Sequence, residues 1–165
     1  MKKVKFTRAE VLKAAKDAES AVAQALASLK HLGVAEFERI PDSKTAGIGN
    51  GGRFLPGRRG DFDVIAGGRY TIIEVKNSLI HENFKGLHIA NTFRPAQLSA
   101  AHRWKLQGAQ TVALFHGTGG WFYLPTWEIA DFQIKGRKSI PVPGYPIPVG
   151  GLTATLHTLV QGRFI

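Results

Sequence analysis

Two carboxylates and a lysine stand at a spacing that can hold a divalent cation against a phosphate. They are Asp61, Glu74 and Lys76, in the stretch DFDVIAGGRYTIIEVK at 61–76. The stretch is two apolar-alternating runs joined by Gly67 and Gly68. Two adjacent glycines can both take positive φ, which is the signal of a tight hairpin. A two-residue turn fixes the register: Ala66 faces Arg69, Asp63 faces Ile72, Phe62 faces Ile73 and Asp61 faces Glu74. Strand side chains alternate with period two, so Glu74 and Lys76 share a face. Opposed like charges destabilise a sheet. A divalent cation between the carboxylates is the economical way to offset that cost.

Asp61 and Glu74 offer hard oxygens to Mg²⁺, which keeps several waters and bridges to a phosphate; Mn²⁺ is expected to substitute. The Val75 backbone carbonyl can add a further oxygen. Asp63 points to the same face but lies diagonal to Glu74, so it is the reserve ligand. Lys76 can orient an attacking water and stabilise the transition state. An acid thirteen residues before Glu-x-Lys, at the end of an apolar strand, is the PD-(D/E)xK nuclease pattern. The competing reading is a surface hairpin whose Glu74–Lys76 pair is merely solvated.

The whole chain agrees with a polyanion partner. Its net charge is +10, from 22 Lys and Arg against 12 Asp and Glu. That balance points to nucleic acid first and an anionic membrane surface second. With 165 residues and a hydrophobic fraction of 44%, the expectation is one domain, residues 1–165, with a real core. No run approaches the roughly 18 apolar residues of a membrane span, and the basic start lacks the apolar run of a signal peptide. The expected location is cytoplasmic. Cysteine is absent, which excludes disulfides and thiolate metal sites.

The elements that must position the cluster can be read in order. Thr7 and Glu10 match a capping box, and a helix is expected from Arg8 to about Lys30. Val11, Leu12, Ala15, Val22, Leu26 and Leu29 give it one buried stripe. Glu19 falls inside that stripe, seven residues from both Leu12 and Leu26. A carboxylate there is costly unless paired or bound to metal; the alternative is a rim residue whose head reaches water. Gly33 closes the helix, Val34–Ile40 reads as a strand, and Pro41 ends it.

Residues 42–60 carry six glycines together with Lys44, Arg53, Arg58 and Arg59. Such a loop leading into an acidic site reads as a DNA-contacting arm, against the plainer reading of a solvated connector. It is not a phosphate-binding P-loop, because no GK[ST] and no helix follow. After the hairpin, 77–92 shows no clear period and forms a second loop near the site, carrying Lys85, His81 and His88. Lys85 and Arg94 join the arm as candidate DNA contacts. Pro95 suits the first turn of a helix running to about Gln107, with Gln97 in that turn and Gly108 as the stop. Thr111–His116 and Trp121–Leu124 read as strands, 126–134 as a short helix, and 136–151 as irregular. Leu152–Leu159 fits either strand or helix. The order implies a mixed central sheet flanked by helices, α/β or α+β in class.

The chain resembles the RecU family of Holliday junction resolvases and, more distantly, archaeal Hjc resolvases. GRYTIIEVK matches the family's turn and catalytic strand, and Asp61 falls at its aspartate. Glu19 aligns with the acid of its first helix, and Gln97 with the glutamine of its F…HQ segment. GRKSI at 136–140 and the following Tyr-Pro-Ile echo its C-terminal part. There are departures. Ser20 replaces the second helix acid, Arg94 and Ala96 replace two histidines, and a Lys-Pro-Thr-Pro motif is reduced to Ile40-Pro41-Asp42-Ser43. Arg39 or Lys44 is left to supply its basic group. The stalk equivalent at 42–60 is short, which fits a compact, phage-encoded relative.

The resemblance implies a restriction-endonuclease-like α/β core and Mg²⁺. It also implies catalytic roles for Asp61, Glu74, Lys76, Glu19 and Gln97, with Glu19 as a third acid near the metal. It further implies a homodimer that nicks four-way DNA junctions symmetrically, leaving 5′-phosphate and 3′-hydroxyl ends. Recognition would rest on junction shape and phosphates more than bases. Two other expectations share the charge pattern: a PD-(D/E)xK nuclease for duplex or single-stranded DNA, and a nuclease-dead DNA-binding module.

Overall fold

A computed structural model describes residues 6–40, 60–77, 87–117, 120–140 and 145–162. The basic arm, with Lys44, Arg53, Arg58 and Arg59, lies outside the described residues apart from Gly60. Residues 78–86 of the second loop, with His81 and Lys85, lie outside them as well, while 87–92 form a short strand and a short helix rather than loop.

The first helix, α1, spans Arg8–His31. Its start is the expected capping box: Thr7 N–H donates to Glu10 Oε2 at 2.6 Å and Glu10 N–H donates to Thr7 Oγ1 at 3.3 Å. Gly33, at φ +68°, ends it. Ala18, Val22, Ala25, Leu26 and Leu29 form its buried stripe. Leu12 does not join them and is 55% exposed. The third strand of the sheet ends at Asn77, whose Nδ2 donates to the Val11 carbonyl at 3.1 Å. The end of β3 is thus tied to the start of α1 at Val11, while the neighbouring Leu12 side chain stays in solvent.

Among the described residues the main sheet has six strands. They are β1 (Glu36–Arg39), β2 (Phe62–Ala66), β3 (Arg69–Asn77), β5 (Gln110–Gly117), β6 (Gly120–Pro125) and β8 (Tyr145–Ile147), side by side in that order. Among the described residues only β3 and β5 pair in parallel. A parallel pair needs a crossover, and this one carries β4 (Leu87–His88), α2 (Ile89–Thr92) and α3 (Pro95–Leu106). β4 pairs with β7 (Ser139–Ile140) in a separate small ladder. The stretch 136–151, expected to be irregular, thus holds two short strands. β8 contains Pro146, which a sheet tolerates on an edge strand, and β8 is the last strand of its sheet.

Two helical layers cover the sheet. On one face, α1 and α5 (Leu152–Val160) bury Phe62, Val64, Ile73, Val75, Val112 and Leu114. On the other, α2, α3 and α4 (Thr126–Ile134) cover Ala113, Phe115, Phe122 and Leu124. The mixed α/β class expected from the element order is what the chain adopts. The ambiguous segment after residue 151 is helical, with Leu156, Leu159 and Val160 turned into the core. Among the described residues no helix is long and apolar enough to cross a membrane.

Candidate active site

The hairpin turns as its glycines require. Gly67 and Gly68 have φ of +54° and +75°, and the pairing from Phe62↔Ile73 to Ala66↔Arg69 follows the expected register. The ladder then stops one residue early. Asp61 lies outside β2, and its N–H donates to the Ile73 carbonyl at 2.8 Å. Its carboxylate takes over as an acceptor: Val75 N–H donates to Asp61 Oδ2 at 2.7 Å. Asp61 is therefore not simply opposed to Glu74 across a regular ladder. It caps the end of the hairpin and is only 4% exposed.

Gly60 makes this bend possible. A Cβ there would lie 2.6 Å from Ile72 Cγ2 and 2.9 Å from the Ile73 carbonyl oxygen. Only glycine lets the chain approach β3 this closely before Asp61 turns onto Val75.

Glu74 sits on the α3 side of the sheet, beside Ala113 of β5, and is 8% exposed. Its Oε1 accepts two bonds, from Lys76 Nζ at 2.6 Å and from Gln97 Nε2 at 2.7 Å. Gln97 is itself oriented. Pro95 opens α3, and the backbone N–H of Arg94 donates to Gln97 Oε1 at 3.0 Å, which turns the amide nitrogen toward Glu74. Lys76 Nζ lies over the Phe93 ring, 5.1 Å from its centroid, so the ammonium is held between a carboxylate and an aromatic face.

Charge and burial both act on Glu74. Burial is the largest influence pushing its carboxyl above the ordinary range, and the Asp61 charge adds to it. Lys76 and the Gln97 hydrogen bond oppose the rise. The Asp61 charge thus raises the proton affinity of a neighbouring buried carboxyl, an arrangement that a bound cation would relieve.

The donor set fits a hard cation. Glu74 Oε2 is buried and has no hydrogen-bond partner. Mg²⁺ is commonly held by one or two carboxylates, its remaining positions going to water and substrate phosphate. Asp61 and Glu74 would hold it, with the Val75 carbonyl as the further oxygen. No group of three or more His, Cys, Asp or Glu side chains suited to a metal occurs among the described residues. The site thus offers a sparse carboxylate set rather than an all-protein cage.

The other expected residues fall elsewhere. Glu19 pairs with Arg39. Arg39 stands opposite Phe62, whose ring faces α1, so this pair occupies the opposite face from Glu74. Glu19 is not brought to the carboxylate pair; the partner that offsets its place on the stripe is Arg39. Asp63 is partly exposed, opposite Glu38 on β1 and Ile72 on β3, with Oδ1 buried and unpartnered. Arg94 is exposed at the start of α3. Sequence reasoning missed Gly60 and Thr111. The glycine was absorbed into the arm, and the threonine looked like part of an apolar strand.

No family model and no curated protein matches the chain. Among solved structures it is similar to Archaeoglobus fulgidus Hjc, a Holliday junction resolvase from an archaeal hyperthermophile. The identity is 14% and the TM-score 0.41, over 65% of this chain and 76% of Hjc.

Proposed function

We propose that the chain is a Mg²⁺-dependent endodeoxyribonuclease whose preferred substrate is a four-way DNA junction, and that it acts as a homodimer. The observation that carries the nuclease reading is the cluster at the end of the hairpin. Asp61 and Glu74 are close enough to raise the Glu74 proton affinity, and Glu74 keeps one buried oxygen without a partner. Bound there, Mg²⁺ would act as a Lewis acid toward the scissile phosphate and lower the pKa of a bound water.

The protein's own groups have separable tasks. Asp61 and Glu74 concentrate negative charge at one point. Gln97 fixes the Glu74 rotamer through Oε1 and leaves Oε2 for other work. Lys76, pinned by Glu74 and Phe93, supplies a positive charge for an attacking water and a developing phosphorane. The +10 charge of the chain supplies the long-range attraction to DNA. The junction preference and the dimer rest on the RecU resemblance of GRYTIIEVK, Asp61 and Gln97.

The test is cleavage of a mobile four-way junction, a fork and a linear duplex side by side, with and without Mg²⁺, with strand-resolved products. Faster, paired nicking of the junction is the expected result. Equal rates on all three substrates would remove the junction preference. Absence of metal-dependent nicking in clean protein would remove the nuclease reading.

A further inference from the structure

Behind Glu74, on the side toward α3 and α4, is a small cavity of about 10 Å³ lined by Ile72, Glu74, Phe93, Gln97, Thr111 and Thr126, among others. Two of its lining groups share one defect. Glu74 Oε2 and Thr111 Oγ1 are both buried, and neither has a hydrogen-bond partner. Thr111 is 3% exposed and Glu74 8%. They stand on the same face of adjacent parallel strands, Thr111 opposite Ile72 and Ala113 opposite Glu74.

Buried hydroxyls and carboxylates in native proteins nearly always find a partner, in protein or in ordered water. A cavity of roughly 10–15 Å³ holds one water when two to four polar groups face it. We propose that this cavity is a specific site for a single ordered water that accepts from the Thr111 hydroxyl and donates to Glu74 Oε2. Gln97 Nε2 carries a second N–H beside the same carboxylate, and Thr126 contributes to the wall. A carboxylate oxygen has two lone-pair directions. The water takes the cavity side and leaves the other for a cation near Asp61.

Thr111 is then a positioning residue. Gln97 and Lys76 fix one oxygen of Glu74, and Thr111 fixes the other through the water. Groups that orient a metal ligand from behind commonly matter about 10–100-fold in affinity or activity. The catalytic consequence rests on the nuclease reading of the site; the water itself does not.

The experiment is water-selective NMR on the full chain without metal or DNA. Cross-peaks from a long-lived water are read at the Gln97 side-chain amide, which lines the cavity and is present in every variant. Wild type and Thr111→Ser should show them, and Thr111→Val should lose them. On the preferred DNA substrate, Thr111→Val should lower kcat about tenfold with KM unchanged, and Thr111→Ser should recover most of the loss. Absence of the cross-peaks in wild type, or their persistence in Thr111→Val, overturns the water site. Full kcat in Thr111→Val overturns the positioning role. A protein with the cross-peaks and no nuclease activity would refute the reading of the site while leaving the water in place.

Discussion

Asp61 has two duties that a pair of substitutions can separate. Structurally, its Oδ2 accepts from the buried Val75 N–H at 2.7 Å. Chemically, it is proposed to bring negative charge to a cation. Asp61→Asn keeps a carbonyl oxygen for Val75 but removes the charge. A hydrogen bond to a neutral acceptor is worth about 1 kcal/mol less than one to a charged acceptor. Loss of repulsion with Glu74 offsets part of that, so the net change should stay within about 1 kcal/mol. Asp61→Ala removes the acceptor and strands a buried N–H, which costs about 1–3 kcal/mol. For a domain of this size that is a fall in Tm of roughly 2–12 °C, against less than about 4 °C for Asn. Thermal unfolding by circular dichroism measures both. In Mg²⁺ buffer both variants should lose at least about 100-fold in cleavage rate. In Mg²⁺-free buffer Asp61→Asn should bind junction DNA as wild type does. If Asn destabilises as much as Ala, the hydrogen bond to Val75 is misjudged. If Asn cleaves at nearly the wild-type rate, Asp61 is a capping residue and not a ligand.

Three further outcomes are expected. Gly60→Ala forces a methyl to 2.6 Å from Ile72 Cγ2 and 2.9 Å from the Ile73 carbonyl; overpacking of this kind costs about 1–3 kcal/mol, to be read from the urea midpoint, with cleavage falling because Asp61 moves. An unchanged midpoint would show that the approach is looser than described. Glu74 has a raised carboxyl value, so over the range above the ordinary carboxylate value the folded state holds a proton that the unfolded chain has lost. Stability therefore falls as pH rises through that window. The wild-type minus Glu74→Gln difference in urea stability should decline from acid toward neutral pH, and a flat difference would contradict the burial of Glu74. DNA affinity should fall steeply with salt, each neutralised phosphate adding about −0.9 to the log–log slope; a nearly flat titration would exclude a backbone-tracking basic surface.

The sequence made local signals legible and left long-range ones hidden. Thr7 and Glu10 announce α1 because a capping box is complete within four residues. Gly67-Gly68 announces the hairpin because positive φ at both positions leaves few other turns. Pro95 marks the start of α3 for the same kind of reason. Leu152–Leu159 could not be assigned, since a short apolar-rich run fits both periods until Leu156, Leu159 and Val160 have a core to face. Glu19 carried a true signal, a carboxylate on a buried stripe, but the sequence could not say who answers it. Arg39 does so from a strand whose placement against α1 is a tertiary fact.

The site itself shows where register reasoning reaches its end. Regular pairing predicts Asp61 opposite Glu74, and five pairs of the ladder obey it. Beyond them, an aspartate side chain accepts a strand N–H in place of a backbone carbonyl, as short acidic side chains do. The backbone of Asp61 shifts to Ile73, and its carboxylate takes Val75. That exchange keeps the two acids near each other without the cost of a fully regular opposed pair. It also spends one Asp61 oxygen on structure, so the unpartnered oxygen at the centre of the cluster belongs to Glu74. A metal at this site would depend most on Glu74, and every group that fixes Glu74, from the N-cap of α3 to the β5 strand behind it, becomes part of the chemistry.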